Sequence, residues 1–190
     1  MQNLMSSRPA VLLLVDYQQR LMPAIAGHAQ VLARAQCLAD VAHLLGLNIV
    51  GTEQNPRGLG PNVAALRERC GQTLAKMHFD ACEDGLLACL DACAVGQERE
   101  LVVAGCEAHV CLMQTALGLL RAGWRVAVVA DACGSRSMQD HALAMARLHA
   151  AGALIVSTEM VVFEWLKTCE HPRFKDVLRL LKLAIANPGP

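Results

Sequence analysis

Aromatic residues are scarce: three phenylalanines, two tryptophans and one tyrosine supply 3% of 190 residues. A core with so few rings must be packed by Ala, Leu and Val, and hydrophobic residues reach 54%. That composition suits α/β proteins whose parallel strands are buried on both faces. A surplus of either charge is also missing, because 17 basic and 17 acidic residues cancel to a formal net charge of zero. With no basic run either, nucleic acid is not an expected partner. Apolar runs are short. The run VLLLV at 11–15 is closed by Asp16, so it falls short of a signal-peptide core and of the roughly 20 residues that cross a bilayer. No membrane partner is expected, and the expected location is cytoplasmic. Nine cysteines are present, an odd number, and none has CxxC spacing, so they read as reduced thiols rather than as a disulfide framework or a zinc knuckle. GxGxxG, GxxxxGK, HExxH and GxSxG are all absent. Those gaps remove support for dinucleotide, P-loop, zincin and serine-elbow sites, and no cofactor or metal is expected.

What remains is an alternation. Short β-rich runs at 10–15, 48–52, 73–75, 100–104, 125–130 and 153–156 are separated by helical patterns near 29–45, 61–69, 84–94, 110–122, 138–151 and 158–167. Most of the runs are continuously apolar, as strands covered on both faces are. The pattern predicts one domain over 1–190 of the α/β class, an open parallel sheet with helices on both faces. A last helix at 174–186 gathers Phe174, Val177, Leu178, Leu181 and Ile185 on one face and needs a surface to cover it. The loop TEQNPRGLGP reads as a mobile segment near a pocket, and the tail NPGP as ragged.

Ligands of such sheets bind outside the carboxyl ends of the strands. Residues following predicted strands therefore carry the search. Asp16 closes the first strand and reads either as a cap or as an acid or base. Lys76 closes the third and reads either as a surface charge or as a cation that favours a thiolate. Cys111 opens a helical pattern in which Val110, Met113, Leu117 and Leu120 share a face. In a first helical turn, unpaired N–H groups and the helix dipole favour negative charge, a known setting for nucleophilic cysteines. Cys82, Cys89 and Cys93 are spaced to share a helix face and read as small hydrophobes. His78 and Cys82 lack a third metal ligand, and His109 lies too near Cys111 in the chain for their side chains to converge.

Five stretches in order carry a family resemblance: LLLVDYQ around Asp16, TEQNPRGLGPNVAAL at 52–66, LAKMHFDAC around Lys76, VVAGCEAHVC and the residues after it around Cys111, and HPRFKDVLRLLK at 171–182. Together they resemble the isochorismatase-like cysteine hydrolase superfamily, in its isochorismatase domain-containing protein subgroup. The resemblance implies a three-layer fold with a six-stranded parallel sheet in a Rossmann-like order, a catalytic Asp16–Lys76–Cys111 triad and usually a homo-oligomer. It also implies a non-proline cis peptide between Glu107 and Ala108, with an oxyanion hole formed by the N–H groups of Ala108 and Cys111. Tyr17, Gln54, Phe79 and Arg136 are the expected walls of the substrate pocket. The metal motif of zinc-dependent nicotinamidases has no counterpart in TEQNPRGLG, which holds no histidine. The implied activity is cysteine-dependent hydrolysis of an amide-type C–N bond in a small carbonyl substrate, through a thioester. The alternative is an inactive member acting as an oligomeric scaffold or regulator, for which a retained triad would have no use.

Overall fold

The computed structural model describes residues 11–93 and 99–186. Its six strands are β1 Val11–Val15, β2 Asn48–Gln54, β3 Gln72–Lys76, β4 Glu100–Gly105, β5 Arg125–Val129 and β6 Leu154–Val156. They form one parallel sheet in the order β3-β2-β1-β4-β5-β6. Each lies within two residues of the run expected for it; Ala10 at the first expected boundary is outside the described residues. The central β1 is the clearest case of a strand covered twice, since no residue of VLLLV is more than 1% exposed. Each such leucine or valine contributes about 1.5–3 kcal/mol through burial.

The helices are α1 His28–Leu44, α2 Pro56–Leu59, α3 Ala64–Arg67, α4 Leu86–Cys93, α5 Met113–Arg121, α6 Met138–Ala150, α7 Thr158–Leu166 and α8 Phe174–Ala186. Helix α1 packs against α3, α7 and α8, while α5 packs against α6 and the Ala81–Asp84 turn that leads into α4. Right-handed crossovers place these two groups on opposite faces of the sheet. The apolar face of α8 thus has its cover: Val177 and Leu181 are buried, with Phe174 and Leu178 partly so against the core. The Ile185 side chain and the tail at 187–190 lie outside the described residues.

Three expectations about local structure change. The helix expected at 61–69 shrinks to α3, and the short α2 precedes it, set apart by Gly60 (φ 75°) and Pro61. The helix expected at 84–94 begins only at Leu86, after Gly85 at φ 94°. Cys82 consequently sits on the preceding 3₁₀ turn, off the helix that carries Cys89 and Cys93, and residue 94 is outside the described residues. The loop after β2 is tied down on several sides. Asn62 N–H donates to Glu53 Oε1 at 2.9 Å, Gln18 Nε2 to the Gly60 carbonyl at 2.6 Å, and Arg20 Nη1 to that of Gly58 at 2.9 Å.

Glycine is required where β4 ends. In register, Gly105 stands opposite Val15 of β1. A Cβ there would meet Val15 Cβ and Val15 O, both at 2.5 Å. Only a residue without a side chain lets the two central strands run together to their carboxyl ends.

The thiols give this core a defined alkaline limit. Burial pushes the Cys37 thiol up to about 11 and that of Cys133 up to about 12. Unfolded, these groups titrate near pH 9, so the folded state holds the extra protons. Their stabilisation is complete below that pH and is lost as pH climbs towards the folded values, by about 1.4 kcal/mol per pH unit for each such thiol. Calorimetry should therefore show Tm falling from about pH 9 upward, with a shallower fall in Cys133→Ala. A Tm flat to pH 11 would contradict this.

Candidate active site

The strand order reverses between β1 and β4, and the loops on either side of a reversal separate to leave a crevice. Asp16 leaves β1 in the left-handed region, at φ 54°. A carboxylate residue tolerates that conformation better than most, though at a cost of about 1–2 kcal/mol. The hydroxyl of Thr52 donates to Asp16 Oδ1 at 2.6 Å. Asp16 Oδ2 lies 2.8 Å from Lys76 Nζ, and both side chains are fully buried. That contact is an ion pair off the hydrogen-bonding direction: among the described residues Oδ2 accepts no hydrogen bond. The cluster thus keeps one carboxylate lone pair open.

Lys76 ends β3, opposite Gln54 in register on β2. Its ammonium donates to Gln54 Oε1 at 2.6 Å and also meets the carbonyls of His78 at 3.4 Å and Phe79 at 3.5 Å. The Cys111 thiol reaches the same Gln54 Oε1 at 3.9 Å. Residues 16, 76 and 111, some 95 positions apart in sequence at the extremes, are joined through the Asp16–Lys76 ion pair and the shared acceptor Gln54 Oε1. Helix α5 braces the loop between them: Thr115 Oγ1 accepts from Ala81 N–H at 3.0 Å and donates to the Phe79 carbonyl at 3.2 Å.

Cys111 lies in a π-helical turn, Ala108–Leu112, that runs directly into α5. Turns of this kind recur at functional sites because the wider loop re-aims a side chain. Two expectations about the preceding residues are corrected. The cis peptide joins Cys106 to Glu107, one residue earlier than expected. It falls there because Cys106 still belongs to the sheet: its N–H donates to Val15 O at 2.9 Å and it bridges Gly134. The Ala108 N–H, expected in the oxyanion hole, instead donates to Gly134 O at 2.7 Å. Glu107 turns the other way, and its Oε2 accepts from Arg136 Nε at 3.0 Å and Arg136 N at 3.1 Å.

The expected pocket walls separate. Gln54 is inside the cluster, and Phe79 is half-exposed beside it, with its carbonyl near Lys76. Arg136 presents an exposed guanidinium held by Glu107. Tyr17 is no wall: it is fully buried, and its hydroxyl donates to Ala132 O. His109 faces Ser135 Oγ at 3.0 Å, away from the thiol, and His78 pairs with Asp84. Thr52 and Gln18 were not anticipated. The signal for Thr52 was in TEQ, where residues 52 and 54 alternate onto one side of a strand end and stay buried though polar.

The electrostatics set burial against the help expected from Lys76. Burial and the Asp16 carboxylate push the Cys111 thiol up to about 12, with Lys76 opposing them. The ammonium favours a sulfur anion, but burial and the Asp16 carboxylate outweigh it. Cys111 rests as a neutral thiol.

Three comparisons bear on this constellation. The sequence profile of the isochorismatase domain matches residues 10–160. Isochorismatase domain-containing protein 2 of Homo sapiens is 36% identical over 180 residues, covering 95% of this chain and 86% of its own. Among solved structures, the MAR1 ribonuclease from Caenorhabditis elegans superposes with a TM-score of 0.86 at 29% identity, over 94% of this chain and 92% of that one. The YcaC gene product from Escherichia coli, an octameric hydrolase of unknown specificity, has the same fold with a TM-score of 0.80 at 24% identity, over 98% of this chain and 91% of that one.

Opposed charges on one sulfur give opposite mutational signs. Removing the carboxylate in Asp16→Asn should speed iodoacetamide labelling of Cys111 at pH 8, roughly tenfold for each unit by which the thiol pKa drops. Lys76→Met should slow it. Peptide mapping by mass spectrometry reads both, and equal labelling in the two variants and the parent would contradict the assignment.

Proposed function

The chain belongs to the isochorismatase family, and from that premise we propose that it is a cysteine-dependent hydrolase cleaving an amide-type C–N bond of a small carbonyl compound. The observation that carries this reading is the buried Asp16–Lys76 pair with one open carboxylate oxygen, sharing Gln54 with the Cys111 thiol.

In the proposed reaction Cys111 enters as a thiol and Asp16 acts as general base. As sulfur attacks the carbonyl carbon, the S–H proton passes to Asp16 Oδ2 and the C=O pair becomes an oxyanion. The Cys111 N–H, in the π-helical turn, is the proposed donor to that oxyanion. A donor of this kind is worth about 3–4 kcal/mol in acyl transfer. Lys76 lies 2.8 Å from Asp16 Oδ2 and offsets negative charge developing on sulfur. When the tetrahedral carbon collapses, the C–N bond breaks and Asp16 returns its proton to the departing nitrogen, leaving a thioester. Water then loses a proton to Asp16 and attacks the thioester carbon; the proton goes to sulfur as the C–S bond breaks, releasing a carboxylic acid. Atoms balance as amide plus water giving acid plus amine.

The worm relative is named a ribonuclease. A chain with zero net charge has little attraction for a polyanion, which favours a small substrate here. The reading includes a homo-oligomer in the cytoplasm, supported by the exposed apolar side chains of Met77 and Phe79 beside the site and of Met160 and Phe163 on α7.

A panel of small amides assayed for ammonia or amine release tests the proposal. Turnover should appear for at least one member and fall by about a thousandfold or more in Cys111→Ala, since the covalent route is then closed. Undiminished turnover in that variant would overturn it. Silence of the parent across the panel, with every variant equally folded, would favour the scaffold reading.

A further inference from the structure

Gln54 touches the reactive cluster without being one of its charged members. It ends β2, and its carboxamide can face the cluster in only one sense. Nε2 donates to the Met77 carbonyl at 2.8 Å; turned over, the amide would set its own oxygen against that carbonyl. Oε1 therefore faces Lys76 Nζ and the Cys111 thiol. The main chain is fixed as firmly. Gln54 N–H donates to Gln18 Oε1 at 2.9 Å, and Gln18 Nε2 donates back to the Gln54 carbonyl at 2.9 Å. Gln18 is fully buried and Gln54 only 8% exposed.

We propose that Gln54 is a positioning residue that sets the acidity of the nucleophile: Oε1 anchors the Lys76 ammonium beside Asp16 and takes the thiol hydrogen of Cys111. An amide oxygen carries partial negative charge, so it stabilises S–H by accepting from it and disfavours a sulfur anion at the same place. The ammonium is drawn by the same atom away from sulfur. A substrate carbonyl entering the cluster displaces the thiol hydrogen from Oε1 and leaves Asp16, already within hydrogen-bonding reach of the sulfur, as its acceptor. The charged groups facing the sulfur are Asp16 and Lys76. Glu107 is engaged by Arg136, His109 by Ser135, and His78 by Asp84, so none of them competes. The place of Gln54 in turnover rests on the hydrolase reading; the acidity it sets does not.

The test follows alkylation of Cys111 by iodoacetamide from pH 6 to 10 in the parent, Gln54→Met and Gln54→Glu, with peptide mapping. Methionine keeps the length and removes the acceptor, so labelling at pH 8 should rise about threefold or more; glutamate adds a full negative charge, so it should fall by a similar factor. Shifts of opposite sign are not what a merely structural contact would give. A Gln54→Met profile that coincides with the parent, or moves with Gln54→Glu, would overturn the proposal. In the parent protein, nitrogen-15 NMR should find one Gln54 side-chain N–H slow to exchange with solvent, held by Met77 O. Fast exchange of both would overturn it even where neither variant folds. Absence of amide turnover in the parent would remove the hydrolase reading and leave this acidity result standing. An unchanged labelling profile would do the reverse.

Discussion

Two charges have been taken out of water at the end of the sheet. Asp16 and Lys76 meet at 2.8 Å with both side chains fully buried. Such a pair is a poor source of stability in itself, because desolvation consumes most of the Coulombic gain, and leaving one partner alone costs about 3–5 kcal/mol. It persists here because the surroundings satisfy it: Thr52 on the carboxylate, and Gln54 with the His78 and Phe79 carbonyls around the ammonium. Those groups come from the ends of β1, β2 and β3 and the loop after β3, so the pair fixes how the three strand ends sit together.

The nucleophile inherits its state from that pair. A lone ammonium beside a buried cysteine would draw out a thiolate; here the Asp16 carboxylate opposes it. Burial then dominates, and Cys111 stays protonated. The arrangement suits chemistry on demand. In the proposed reaction sulfur gives up its proton only as it forms a bond to carbon, and Asp16 receives it. The close approach of β4 to β1 at Gly105 is what brings the π-helical turn over this pair.

The sheet was readable in the sequence because its signal is local and redundant. Continuous apolar runs such as VLLLV, spaced by helical patterns, leave few alternatives to a parallel sheet; the strand-end rule then points to Asp16, Lys76 and the 105–111 turn among other strand-end loops, and the family resemblance joins residues 16, 76 and 111. Helix limits were less legible around Gly60, Pro61 and Gly85, where backbone conformation decides over side-chain periodicity. The site's details were hidden for a different reason. That Tyr17 turns into the core, that Ala108 is spent on Gly134 and that the cis peptide lies at Cys106–Glu107 depend on partners more than 20 positions away or on one peptide plane. That burial outweighs Lys76 at Cys111 was hidden too, because a first-turn position and a lysine are visible in sequence, whereas the depth of the thiol is not.

The central claim is that the buried pair leaves the nucleophile protonated at rest. It is tested most directly by the carbon-13 chemical shift of Cys111 Cβ, followed by NMR as pH is raised in protein labelled at cysteine. The account predicts a thiol shift unchanged from about pH 6 to 8.5, with ionisation setting in only at strongly alkaline pH. A thiolate shift already present near neutrality would contradict it.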